Sequence, residues 1–133
     1  MANLSALKAG GVPSTFCGDL LLAGNDGDNA VTGVGFKPNW IVIFNIRAPY
    51  TDVLVSSAGY KIGNATRAHG HSVYGIGSNT NYYSYESGAK LYMAKNAAGA
   101  VAEGVLKSFD ADGFTIDRTA YAIAVQVFWI VGR

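Results

Sequence analysis

The chain has 133 residues, half of them hydrophobic and 14% charged, with a formal net charge of +1. Soluble domains usually carry about 25% charged residues, so this chain has either an unusually large core or a surface partly hidden in an assembly. With no cluster of Lys and Arg it offers no footprint for nucleic acid or an anionic membrane, and its length fits one domain whose core needs no staples.

Residues 1–14 are small and mixed, with Gly10-Gly11 and Pro13. They are expected to form an N-terminal arm with at most one helical turn around Leu4 to Lys8, leaving 15–133 as a single β-domain. Met1 to Gly11 lacks the charged and apolar regions of a signal peptide, and no run reaches the roughly 18 apolar residues of a membrane span, so folding in a cytoplasm is expected. The first strand is Thr15 to Ala23. Its lone Cys17 can close no intramolecular disulfide and reads as a small buried hydrophobe.

Gly24 to Asn29 is a cluster of turn residues, and Ala30 to Thr32 a short strand. Gly33 to Asn39 then supplies a bend, with Pro38 placed just before a strand because it cannot donate to a ladder. In the strand over 40–47, Trp40, Val42, Phe44 and Ile46 share one face and Ile41, Ile43, Asn45 and Arg47 the other. Asp52 to Ser56 reads as a short strand. From Ser57 to Ser87 the hydrophobic period is lost, and only Ser72 to Ile76 has strand character.

Alternation returns at Ala89 to Lys95, with Leu91 and Met93 on one side and Tyr92 on the other. Val101 to Phe109 follows, with Val101, Glu103, Val105, Lys107 and Phe109 on one face. Asp110-Ala-Asp-Gly113 is a hairpin turn, Phe114 to Asp117 returns from it, and Tyr121 to Val131 is a long closing strand. No stretch keeps the helical 3.6-residue period. The pattern predicts an all-β fold with almost no helix, an antiparallel β-sandwich or jelly roll.

In the closing strand, Tyr121, Ile123, Val125, Val127, Trp129 and Val131 form a core face, while Phe128 and Ile130 lie opposite. Packed beside the 40–47 strand, this predicts an outward patch of Ile41, Ile43, Phe128 and Ile130, of a kind that marks interfaces. With Leu4 and Leu7 of the arm, these are the expected interface residues.

Three segments, Val31 to Ile43, Phe109-Asp-Ala-Asp-Gly-Phe-Thr-Ile116 and Tyr121 to Gly132, together resemble small β-sandwich domains of tailed-bacteriophage virion proteins. There a GF-x-P bend enters a buried strand, and a dGFt hairpin and a closing strand complete the sheet. The three segments cover under half of the chain, and their order and spacing carry the resemblance. Such proteins include capsid decoration (cement) proteins and modules of tail fibres and baseplates, commonly homotrimeric. The resemblance implies a non-enzymatic virion structural protein, made in the host bacterial cytoplasm, that binds itself and other virion proteins such as the major capsid protein. A decoration role is favoured because the chain is one domain with a short arm. The alternative is a receptor- or carbohydrate-binding tail module.

Residues 77–88 are expected to be a recognition loop in which Tyr82, Tyr83 and Tyr85 offer rigid contact area, to a neighbouring subunit ahead of a sugar ring, and Ser and Asn adapt their hydrogen bonds. His69 and His71 share one side of an extended segment, but two imidazoles fall short of a closed zinc site and read as a polar loop. Asp26 with Asp28, and Asp110 with Asp112, lack the spacing of a calcium loop and are explained by turn formation. No nucleophile elbow, phosphate loop or His-Glu-x-x-His is present, and Asp19, Asp52, Glu86, Glu103 and Asp117 are scattered. No catalytic residue, metal or cofactor is expected.

Overall fold

The structure, a computed structural model, describes residues 14–22, 27–48, 53–74, 81–95, 101–121 and 124–133, and the side chains of all these except 46–48, 53–56, 70–74, 81–86, 95 and 121. Every regular element among them is a strand: β1 (Thr15–Leu22), β2 (Gly27–Val31), β3 (Trp40–Ala48), β4 (Val53–Ile62), β5 (Ala65–Tyr74), β6 (Asn81–Ser87), β7 (Tyr92–Lys95), β8 (Val101–Asp110), β9 (Gly113–Tyr121) and β10 (Ala124–Gly132). They form two antiparallel sheets, one in the order β1-β10-β3-β4-β5-β6 and one in the order β2-β9-β8-β7. The fold is all-β and sandwich-like, as its short, turn-punctuated strands predict.

One core lies between the sheets. The six-stranded sheet contributes Leu22, Ile41, Ile43, Val125, Val127, Trp129 and Val131, and the four-stranded sheet Tyr92, Ala94, Ala102, Phe114 and Ile116. Trp129 bridges the two layers. It meets Phe114 edge-on, with ring centroids 5.1 Å apart, and lies nearly parallel to Phe16 at 6.0 Å.

Two of the sequence features that carry the phage resemblance touch in space. The β8–β9 hairpin turns at Ala111-Asp112, and the Asp112 carboxylate accepts hydrogen bonds from the amides of Gly33, at 3.0 Å, and Gly35, at 2.5 Å. Its backbone carbonyl accepts a third from Val34 at 3.2 Å. Gly33 and Gly35 both have positive φ, 81° and 83°, which side chains resist. The bend that delivers the chain into β3 is therefore clamped by an acid 77 residues away in sequence from Gly35. Asp112→Ala removes a charged acceptor from two amides and is expected to cost about 1–3 kcal/mol, read as a lower urea midpoint at unchanged slope.

The neighbouring acids are also consumed locally. Asp110 accepts from the hydroxyls of Ser108 and Thr115, which hold its carboxyl below the usual carboxylate range. Asp28 pairs with Lys107 at 2.5 Å. Asp26 and Asp52 lie outside the described residues, as do Leu4, Leu7 and the rest of residues 1–13.

Several expectations are corrected. The stretch from Ser57 to Ser87 is no long loop: it carries most of β4, all of β5 and all of β6. The inner face of these strands is small and polar, with Ser57, Gly59 and Ala68 buried there, so hydrophobic alternation is faint although the strands are regular. Tyr121 to Val131 is not one strand, since Tyr121 ends β9 in one sheet and Ala124 opens β10 in the other. In β8 it is Ala102 and Gly104 that are buried, and a bulge between Leu106 and Ser108 lets both Leu106 and Phe109 pack against the core. Leu91 and Tyr92 are both fully buried, because Leu91 precedes β7. Cys17 is exposed, since on β1 it is Phe16, Leu20 and Leu22 that turn inward.

Candidate interaction face

Register decides which side chains share a face. Along β3 and β10, Trp129 pairs with Ile43, Val131 with Ile41, Phe128 with Phe44 and Ile130 with Val42. Directly opposed residues point the same way, so Ile41 and Ile43 join Trp129 and Val131 inside, both with zero exposure. The predicted outward patch is corrected accordingly. Ile41 and Ile43 pack wholly within their own chain, and Phe128 and Ile130 lie outside with Phe44 and Val42.

The same register extends this outer face across the sheet. Val42 opposes Tyr60 and Trp40 opposes Ile62 on β4, while Cys17 opposes Ile130 and Asp19 opposes Phe128 on β1. Leu21, Phe44, Tyr60, Ile62, Phe128 and Ile130 are exposed by 37–54%, and all six stand on this one surface. Taking whole side chains at about 200–250 Å² each, they expose roughly 600 Å², at the top of what one patch on a monomer usually presents.

Polar residues flank the face on both sides. On the β1 side stands Asp19, which accepts a hydrogen bond from the Gln126 side chain at 3.0 Å. On the β5 side stand Arg67 and His69, paired in register with Tyr60 and Ala58.

The opposite outer surface has another character. On the four-stranded sheet, Lys90 bridges to Glu103 at 2.9 Å and donates to Thr119 at 2.8 Å, and Lys107 bridges to Asp28. That face is charged, and these two pairs close within the chain. Among the described residues, the exposed large apolar side chains are thus concentrated on one side.

Between the sheets lies a buried polar group of Asn45, Ser57, Tyr92 and Arg118, each at most 5% exposed. Ser57 donates to the Asn45 side-chain carbonyl and accepts from the Met93 amide at 3.2 Å, which ties β4 to β7. Burial pushes the Tyr92 phenol up to about 12, with the Arg118 guanidinium beside it pulling weakly the other way. At neutral pH Tyr92 is therefore protonated, and within the group it is Ser57 that fastens one layer to the other.

The remaining sequence candidates fall into strands. Tyr82, Tyr83 and Tyr85 are on β6, an edge strand, in register with Val73, Ser72 and Gly70. The expected recognition loop is in that part strand, and the side chains of the three tyrosines lie outside the described set. His69 and His71 are on β5 rather than in a loop. Among the described residues no three of His, Cys, Asp and Glu stand together as metal ligands would.

Sequence reasoning missed Leu21, Phe44, Tyr60 and Ile62. The signal that could have found Phe44 was available: pairing the aromatic face of the 40–47 strand with Phe128 and Ile130, rather than with the valine and tryptophan face, puts it outside. Compared with known proteins, the chain matches no protein-family model, no curated protein and no solved structure.

Proposed function

We propose that the protein is a non-enzymatic structural component of a tailed-phage particle, acting as a capsid decoration protein that binds itself and neighbouring virion subunits. The observation that carries this reading is the apolar outer face of the six-stranded sheet. A face of roughly 600 Å² is costly to leave in water and worth about 25 cal/mol per Å² when covered, which is ample to drive assembly. The phage resemblance of the Gly33–Gly35 bend and the 110–113 hairpin, joined in space through Asp112, supports the placement in a virion.

Quantitative mass spectrometry of purified particles, with immunogold labelling, tests the reading. A copy number comparable to the shell subunits and label spread over the capsid are the expected result. Absence from the particle would overturn it. Label confined to the tail, with saturable glycan binding lost on Tyr83→Ala, would instead establish the carbohydrate-binding alternative, which draws on the edge strand where Tyr82, Tyr83 and Tyr85 lie.

A further inference from the structure

We infer that the occupant of the apolar outer face is the segment 1–13 of a neighbouring copy of this chain, seated through Leu4 and Leu7. The inference rests on reading that face as an assembly contact, and it names the segment that makes the contact.

The character of the segment is the first argument. Residues 1–13 lie outside the described residues and precede β1, and Lys8 is their single charged side chain. Leu4 and Leu7, three residues apart, share one side of a helical turn. With Met1, Ala2, Ala6 and Ala9 around them, they can bury against Phe44, Phe128 and Ile130 without stranding more than one charge.

The place where the segment leaves the sheet is the second argument, and it decides between a chain's own face and a neighbour's. The Arg133 amide donates to the Ser14 carbonyl at 3.1 Å, so the β1–β10 pairing continues past Thr15 and the chain still runs along β1 at Ser14. Pro13 fixes its own φ and disfavours helix at Val12, so this stretch carries the segment about 10 Å beyond the sheet before Gly10-Gly11 permits a reversal.

On the way back, the four residues from Gly11 to Leu7 reach at most about 14 Å, which returns Leu7 only to the end row of Trp40 and Ile62. Phe128 and Phe44 share the row of Asp19, five residues inside Ser14, or roughly 17 Å from that end. Leu7 therefore falls short of both rings in its own chain. A neighbouring copy can present them to Leu4 and Leu7 together. The contact joins two different surfaces, the arm of one copy and the face of the next, so each copy has one of each to offer and the set closes by exchange or as a ring.

Sedimentation of the purified 133-residue chain tests this. At tens of micromolar the wild type should run above the 13.9 kDa chain mass. Leu4→Asp with Leu7→Asp should weaken association about a hundredfold, and Phe128→Asp should do the same from the other side of the contact, each with strand content and a cooperative melt retained. Phe44→Asp is the second face variant should the first misfold. The deciding measurement is a mixture: the arm variant keeps its face and the face variant keeps its arm, so together they should form a one-to-one pair although neither associates alone. A face stacked on a second face, or covered by its own arm, predicts no such pair. A wild-type monomer, an arm variant that associates as tightly as the wild type, or a mixture that stays monomeric would overturn the inference. A monomeric wild type still abundant on the capsid would sink the arm contact and leave the virion reading intact, whereas an arm-dependent oligomer absent from particles would do the reverse.

Discussion

Gly59→Ala is expected to destabilise the protein by about 3 kcal/mol or more, or to prevent folding, although it adds a single methyl group. Gly59 stands on the inner face of β4, in register with Ile43 on one side and Ala68 on the other. A methyl group there would overlap the backbone carbonyl of Leu91, and the Arg67 carbonyl would lie only 3.1 Å away. Neither neighbour can swing aside as a side chain would. Leu91 is held by the hydrogen bond its amide donates to the Gly104 carbonyl at 2.7 Å, and two residues on Met93 is tied to Ser57. Relief therefore requires separating β7 from β4 and breaking the Ser57 link that closes the sheets. Gly88→Ala makes the same chemical change at an exposed position, where the nearest atom is an Arg67 side-chain nitrogen at 3.5 Å, and should stay within about 0.5 kcal/mol. Urea melts of the two variants decide it. Equal, small effects would mean that the sheets are not closed around Gly59.

The same close approach explains what the sequence conceals. Where layers are kept apart by large side chains, alternation is loud, and β3 and β10 were legible as neighbouring strands for that reason. Where the backbones nearly touch, the inward positions must be Gly, Ser or Ala, and the period fades. Ser57, Gly59 and Ala68 occupy such positions, so β4 and β5 read as an irregular stretch. One local signal survived: Ile62 pairs with Ala65 across Gly63-Asn64, a two-residue turn with Gly63 at φ 55°. A Gly-Asn pair suits that hairpin geometry and marks β4–β5 despite the weak pattern.

The error over Ile41 and Ile43 has a different origin. Both faces of β3 are apolar, so periodicity separates them without saying which is the core. The face carrying Asn45 looks like the wet one, yet Asn45 is 1% exposed because Ser57 supplies its side chain with a hydrogen bond. With the Asn45 carbonyl bonded inside by Ser57, the larger aromatic face is left to the outside. Adjacency was visible in the sequence, whereas facing was fixed by a side-chain pair that no periodicity encodes. The Asp112 clamp was half visible, since the turn was recognised and the distant bend it secures was not.

Adjacent residues of β10 turn that distinction into a measurement. Trp129→Ala is expected to cost about 3–5 kcal/mol, the range for deleting a large buried aromatic. The indole is 5% exposed, meets Phe114 of the opposite sheet, lies over Phe16, and lies against Gly18 of β1. Its loss empties the joint between the layers, and β1 and β9 give way with it. Phe128→Ala, one residue earlier, removes a ring of similar size that is 42% exposed on the outer face. In the monomeric state, below the association midpoint, it should cost about 1–2 kcal/mol, because two fifths of the residue is still in water. At higher protein concentration the gap between the two variants should narrow, since only Phe128 gains burial from a partner, and folding linked to association makes stability depend on concentration. Denaturation of both variants at two protein concentrations reads this directly. If Phe128→Ala cost as much as Trp129→Ala in the dilute sample, the outer face would belong to the chain's own core, and the assembly reading would lose its footing.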